Sequence, residues 1–363
     1  MKKILINISV VSKNHRGMGM FTKDILLRLL KHTDMDFILV SCTDIDNDLI
    51  KLIEEKGIFF KQINSPLPIF EQIILPFLIK KYKIDTCWFP SNNFPIYKVK
   101  NTNYVVTIHD IIFLNKDIKP KSIYQKIGKF YRSWNILNGI KKVDILTSVS
   151  KTALQEIYDF FNFNTKIEEK NVLYNSISLS DEQDDNILKI YNPNSKKYIY
   201  TIAGNAPHKN LKFLVDSFKK FSNTYDDFIL IVSGVPKQHQ DEYRSDNIVL
   251  TEFISNAEKN SLMKNADFFV FASLKEGFGI PLIEAMNLNK NILASDISVF
   301  REIGDKYVNY FSPTNSNFLI EYIQDKKAVK NDLKEVNIYI KNKFDIEITI
   351  NKLTNLLKDK NEK

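Results

Sequence analysis

The chain has 363 residues, of which 44% are hydrophobic and 26% charged, with a formal net charge of +8. That length calls for two domains, and the composition excludes disordered, collagen-like and disulfide-stapled classes. No run approaches the roughly 20 apolar residues of a membrane span, and Met1-Lys2-Lys3 leads into a run too short for a signal-peptide core, so a cytoplasmic protein is expected.

The charge is uneven. Residues 1–183 hold 26 Lys and Arg against 19 Asp and Glu, while the remainder hold 25 against 24. No nucleic-acid recognition motif accompanies the basic half, so nucleic acid is not an expected partner. Cys42 and Cys87 lie in or beside strand-like runs without metal-ligand spacing, as buried reduced thiols do.

Short apolar runs alternate with helical patterns, the βαβ signature of a parallel sheet covered on both faces. Residues 4–11 read as the first strand, and a polar loop from Ser12 to Arg16 leads to Gly17-Met18-Gly19-Met20. Phe21, Ile25, Leu26, Leu29 and Leu30 follow at helical spacing. As a dinucleotide fingerprint this is broken, because Thr22 stands where the third glycine belongs. Asp44, Asp46, Asp48 and Glu55 imitate part of a calcium loop, but Leu49 occupies the position of the obligatory turn glycine, and no metal is expected.

Residues 66–83 form an apolar helix, bent at Pro76 and ending in Lys80, Lys81 and Lys83. A second basic cluster, Lys116, Lys119, Lys121, Lys126 and Lys129, is interleaved with Ile123, Tyr124, Ile127, Phe130 and Tyr131. Such segments suit an anionic membrane surface on the inner face of the cell membrane; the alternative is an inward-packed helix with solvated lysines. Asn103 to Ile108 is a buried strand ending in His109-Asp110, and carboxyl ends of strands in open α/β sheets border the ligand crevice. Ser150 enters a helix, Val172 to Asn175 is a further apolar run, and residues 178–196 read as a linker.

The pattern then restarts. A strand over Lys197–Ala203 leads to the loop Gly204–Asn210 and a helix from Leu211. Lys209 sits at a helix amino terminus, where the dipole disfavours a cation by up to ~1 kcal/mol unless an anion joins it. Phe228–Ser233, Asn247–Ile254 and a helix from Asn256 follow. The most informative stretch is Asp267 to Met286: an apolar strand, then Glu276-Gly277-Phe278-Gly279-Ile280, and a helix opened by Pro281 that carries Glu284. A strand, a glycine turn and helix N–H groups aimed back over the strand end bind anions, while flanking carboxylates suit sugar hydroxyls. The bland reading is a carboxylate complementing the helix dipole without a ligand.

Glu276 and Glu284, with seven residues between them around Gly-Phe-Gly-Ile-Pro, resemble the E-x7-E motif of family 4 glycosyltransferases. The resemblance extends in order through the glycine loop, His-Asp, linker and Lys-Asn. It implies the GT-B fold, two Rossmann-like parallel-sheet α/β domains facing across a cleft. Residues 1–183 would be the acceptor domain and 184–363 the donor domain, with the terminal helix, about 344–357, crossing back. It also implies a retaining transfer of a hexose from a nucleoside-diphosphate sugar to a glycan or lipid-linked hydroxyl in capsule, O-antigen or similar synthesis, without metal or cofactor.

By that resemblance Lys209 and Asn210 grip the diphosphate, and Gly17 and Gly19 approach it. Phe253 and Ile254 border the base, Glu284 holds the ribose and Gly277–Ile280 line the donor. Glu276 and His109 meet the transferred sugar, with Asp110 beside them. Ser150, Asn175 and His208 are further candidates. The sequence departs from the family at Ser176 and Ala203, where glycine is usual, and at His208, where arginine is common. Two rival classes are a non-catalytic sugar-binding protein and a nucleotide-dependent oxidoreductase.

Overall fold

The computed structural model describes residues 2–13, 17–31, 35–115, 123–176, 182–204, 206–325 and 332–359. Lys116, Lys119 and Lys121 of the second basic cluster lie outside them, as do Asn14 to Arg16 and Ile177 to Asp181. The chain divides into two compact units, Met1–Ser176 with Phe344–Lys363, and Ile177–Lys343.

The first unit is built on β1 (Lys2–Asn7), β2 (Met35–Ser41), β3 (Phe59–Gln62), β4 (Thr86–Phe89), β5 (Asn103–Ile108) and β6 (Ile145–Ser148), all parallel, in the order β3-β2-β1-β4-β5-β6. Ile4, Leu5, Ile6, Val105 and Val106 are fully buried. A strand apolar on successive residues, rather than alternate ones, needs helices over both faces, which is why these runs form parallel sheet. β1 stops at Asn7, short of the expected Val11, because the Asn7 carboxamide oxygen accepts from both the backbone N–H and the hydroxyl of Ser9 (3.2 and 2.7 Å) and turns the chain. Asp46 of the false calcium loop caps the helix Asn47–Lys56, accepting from the Asp48 and Leu49 amides, and pairs with Lys23 at 2.8 Å. The carboxyl-terminal helix Ile346–Lys358 belongs to this unit: the Thr349 hydroxyl donates to the Tyr174 carbonyl at 3.0 Å, and Phe344 meets Tyr174 edge-on.

The segment Leu67–Tyr82 stays helical through Pro76 by widening. It is α-helical over Leu67–Ile69, π-helical over Phe70–Ile74 and α-helical again over Leu75–Tyr82. A proline ring collides with the carbonyl four residues back and has no N–H to give, and an i→i+5 turn just before it relieves both defects. The π turn carries Glu71 inward, where it is 1% exposed and accepts from the Tyr131 hydroxyl at 2.6 Å.

The second unit repeats the design with β7 (Lys197–Ile202), β8 (Phe228–Ser233), β9 (Ile248–Leu250), β10 (Phe268–Phe271), β11 (Ile292–Ser295) and β12 (Asn309–Phe311) in the order β12-β11-β10-β7-β8-β9. Phe218 and Phe221 of the helix Leu211–Ser222 are buried against Phe228 and Phe268 of the sheet. Each such ring removed from water contributes about 1.5–3 kcal/mol. The chain leaves β7 in one direction toward β9, then returns to build β10 to β12 on the other side. The switch point therefore lies between β7 and β10.

Burial raises the Glu71 carboxyl to about 8 from 4.5, against the opposing hydrogen bonds of Tyr131 and Asn93. Between those values the folded protein holds a proton that the unfolded chain has released, so stability falls as pH rises through that window. Glu71→Gln preserves the neutral shape and should flatten the slope. The expected gain over wild type is on the order of 4 kcal/mol at pH 8 and close to none at pH 4, read from urea denaturation.

Candidate active site

The loop after β7 and the loop after β10 meet at the switch point. The Lys209 ammonium donates to Glu276 Oε1 at 2.6 Å, and the Ser273 hydroxyl donates to the same oxygen at 2.7 Å. The side chains are 26% and 13% exposed, so the two charges neutralise each other largely out of water. Lys209 Nζ also lies 5.7 Å from the centre of the Phe271 ring. The loops are bound through the backbone as well, the Leu274 N–H donating to the His208 carbonyl at 2.7 Å. His208 is held below its usual pKa, chiefly by burial and then by the Lys209 charge, so it is neutral near pH 7.

Asn210 adopts the left-handed conformation (φ 57°) at the start of the helix Leu211–Ser222, a conformation asparagine tolerates better than most residues. The helix Ile280–Asn287 starts after Gly279, whose φ of 104° is glycine territory and whose added Cβ would stand 2.9 Å from Phe300 Cε1. No side chain caps this helix; the Leu282 N–H already donates to the Gly279 carbonyl and Pro281 has none, which leaves the amides of Gly279 and Ile280 at its mouth. Phe278 is buried and Gly277 half-buried beside them.

Glu284 does not stand alone. Its Oε1 accepts from Lys259 Nζ at 2.6 Å, both side chains being mostly buried. Lys259 belongs to the helix Asn256–Asn265, which Ser255 and Glu258 start with a reciprocal capping box. Sequence reasoning missed both Lys259 and Ser273. Ser273 could have been found from its spacing of three before Glu276, whereas nothing in the sequence marks Lys259. Phe253 is 56% exposed, its ring beside Gly234, and Ile254 is half-buried.

The remaining predicted residues lie in the first unit. Gly17 (φ 34°) begins the helix Met18–Leu29, in which Gly19 is buried. His109 follows β5 and is buried: its backbone N–H donates to Asn92 Oδ1 (2.8 Å), its Nε2 lies 2.9 Å from the Pro90 carbonyl, and Phe21 meets its ring edge-on. Burial pulls its pKa down to about 4, so the ring is neutral and carries its proton on Nε2, donated to Pro90. Asp110 turns the next residues by accepting from the Ile112 amide at 2.9 Å. Ser150 caps the helix Lys151–Phe161 through the Ala153 amide, and Asn175 is buried with no partner for Oδ1. Among the described residues no three His, Cys, Asp or Glu side chains cluster as a metal would need.

Two parallel six-stranded Rossmann-like sheets, one carrying this lysine–glutamate pair at its switch point, define the chain as a GT-B protein. Residues 183–344 match the family described as Glycosyl transferases group 1, and the chain is a glycosyltransferase. It is 24% identical over 360 residues (93% of this chain, 94% of the other) to the O-antigen chain mannosyltransferase RfbU of Salmonella typhimurium. It is also 24% identical over 270 residues (69% and 71%) to the N-acetylgalactosamine-N,N'-diacetylbacillosaminyl-diphospho-undecaprenol 4-alpha-N-acetylgalactosaminyltransferase of Campylobacter jejuni. In fold it matches the crystal structure of Anabaena HepE in complex with UDP and glucose, with a TM-score of 0.66 at 15% identity over 99% of this chain and 100% of that one. The glycosyltransferase assignment decides against the binding-protein and oxidoreductase alternatives.

Gly279→Ala should cost about 2–4 kcal/mol, since a side chain there combines backbone strain with overpacking against Phe300. Urea denaturation measures the loss; the same substitution at Gly17, where an added Cβ meets nothing within 4 Å, should cost less.

Proposed function

We propose that this enzyme moves a hexose from a nucleoside-diphosphate sugar to a hydroxyl of a growing surface glycan on a lipid-linked acceptor, in O-antigen, capsule or similar synthesis. The configuration would be retained, as in family 4. The observation that carries the reading is the Lys209–Glu276 pair at the switch point of the second sheet, where open α/β sheets take nucleotides. The names of the Salmonella and Campylobacter relatives, an O-antigen mannosyltransferase and a transferase named for a diphospho-undecaprenol substrate, support the acceptor class.

In this reading the donor diphosphate competes with Glu276 for the Lys209 ammonium. Its phosphate oxygens offer charge-assisted bonds of the same kind. The released carboxylate keeps its Ser273 hydrogen bond and accepts from the sugar hydroxyls or faces the positive charge developing on the ring. The bond from the anomeric carbon to the phosphate oxygen breaks while the acceptor oxygen bonds to that carbon on the same face. The acceptor proton passes to the leaving phosphate, so the balance needs neither a protein base nor a metal. Negative charge gathering on the diphosphate is met by Lys209, with Asn210 beside it, and by the Gly279 and Ile280 amides. Glu284 exchanges Lys259 for the ribose hydroxyls, and the backbone at Phe253 and Ile254 takes the base. His109, titrating near 4, would act as a fixed polar group rather than a proton shuttle.

Lys209→Ala and Glu276→Ala should each lower kcat by roughly a hundredfold or more, the usual cost of losing one group that stabilises transition-state charge. Release of nucleoside diphosphate from a panel of UDP-, GDP- and dTDP-sugars is the measurement, with the thermal midpoint as the control for folding. Near-wild-type turnover in either variant removes that residue from the mechanism.

A further inference from the structure

The first unit carries an apolar surface that includes none of the residues to which the transfer reaction is assigned. Among the described residues eighteen large hydrophobic side chains are exposed, and ten of them fall between Leu67 and Leu137. On the helical segment Leu67–Tyr82, Ile69, Ile73 and Phe77 recur every four residues and so form one outward stripe. On the helix Ile123–Gly139, Ile123, Ile127, Phe130, Trp134 and Leu137 alternate spacings of four and three and form another. The two helices are joined on their inner sides. Gln72 donates to the Tyr131 hydroxyl at 3.0 Å, Tyr131 donates to buried Glu71, and Asn135 binds both the N–H and the carbonyl of Phe94. Buried polar groups thus fix a pair of helices whose outer faces are greasy, with Phe130 72% and Phe77 63% exposed.

The charge around these stripes has one sign. Lys80, Lys81 and Lys83 end the first helix; Lys126, Lys129 and Arg132 lie on the second, with Lys141 and Lys142 just beyond it. From Gln72 to Ile84 and from Ile123 to Val143 there is no aspartate or glutamate. Two copies of this surface meeting about a two-fold axis would set cations against cations, which disfavours a second chain as its occupant. An anionic sheet with an apolar interior satisfies both features. No described helix is long and apolar enough to cross a membrane.

We infer that the paired outer faces of Leu67–Tyr82 and Ile123–Gly139 are a docking surface for an anionic lipid bilayer, with the apolar side chains entering the headgroup layer and the lysines engaging the phosphates. This inference does not rest on the reaction proposed above, and its test reads no turnover.

The chain has two tryptophans: Trp88 is fully buried in β4, and Trp134 lies within the stripe. With vesicles of phosphatidylcholine containing phosphatidylglycerol, Trp134 emission should shift to the blue and the protein should float with the lipid, while phosphatidylcholine alone does neither. Phe77→Ser with Phe130→Ser should lower the partition at least tenfold. Lys80→Gln, Lys81→Gln and Lys126→Gln together should lower it roughly a hundredfold and flatten its salt dependence. All five positions are exposed, so the thermal midpoint should stay at the wild-type value. Equal binding to neutral and anionic vesicles overturns the inference, as does no binding to either. A lipid-free dimer that Phe77→Ser with Phe130→Ser abolishes would assign the surface to a second copy instead.

Discussion

Lys209 and Glu276 are 67 residues apart in the chain, and their contact depends on one constraint, the adjacency of β7 and β10. In a parallel sheet every strand ends at the same edge, and only at the switch point do two neighbouring loops leave in opposite directions without a crossover between them. A mostly buried carboxylate and a partly buried ammonium are each expensive alone; together, with Ser273 as a further donor, they form a state that a more strongly binding anion can open. The second pair, Lys259 with Glu284, has the same character one turn into the next helix. Both carboxylates of the motif are therefore held by lysines before any substrate is considered.

The first unit solves a different problem. Its helices at Leu67–Tyr82 and Ile123–Gly139 bury Glu71 and Asn135 along with Phe70, Leu75 and Ile136, while exposing Ile73, Phe77 and Phe130. The inward polar groups are paired through Tyr131, Gln72 and the backbone of Phe94. That pairing allows the outer faces to be apolar without collapsing onto the core. The π turn before Pro76 belongs to the same arrangement, since it is the segment that carries Glu71 inside. His109 shows a related economy: the Pro90 carbonyl fixes its tautomer, Asn92 holds its backbone N–H, and burial removes its titration from the neutral range.

Much of the fold was legible because burial leaves a one-dimensional trace. Apolar runs such as Ile4–Ile6 and Phe268–Phe271, separated by helical periods, are satisfied by parallel strands covered on both faces. The Gly-Phe-Gly-Ile-Pro turn was legible for a local reason: Gly279 needs a positive φ and Pro281 suits the first helical turn. Asp46, in a segment whose Leu49 stands in place of the calcium-loop glycine, is a helix cap, and Pro76, expected to bend a helix, is accommodated by a wider turn.

The sequence by itself determined the succession of strands and helices, the glycine turn, and which charged residues follow strand ends, because backbone conformation and burial are dictated by neighbours along the chain. Tertiary structure alone decided which charges meet. Lys259 reaches Glu284, Lys209 reaches Glu276, and Tyr131 reaches Glu71 across 25, 67 and 60 residues. An electrostatic contact depends on distance in space, and strand order, which no local pattern encodes, sets that distance.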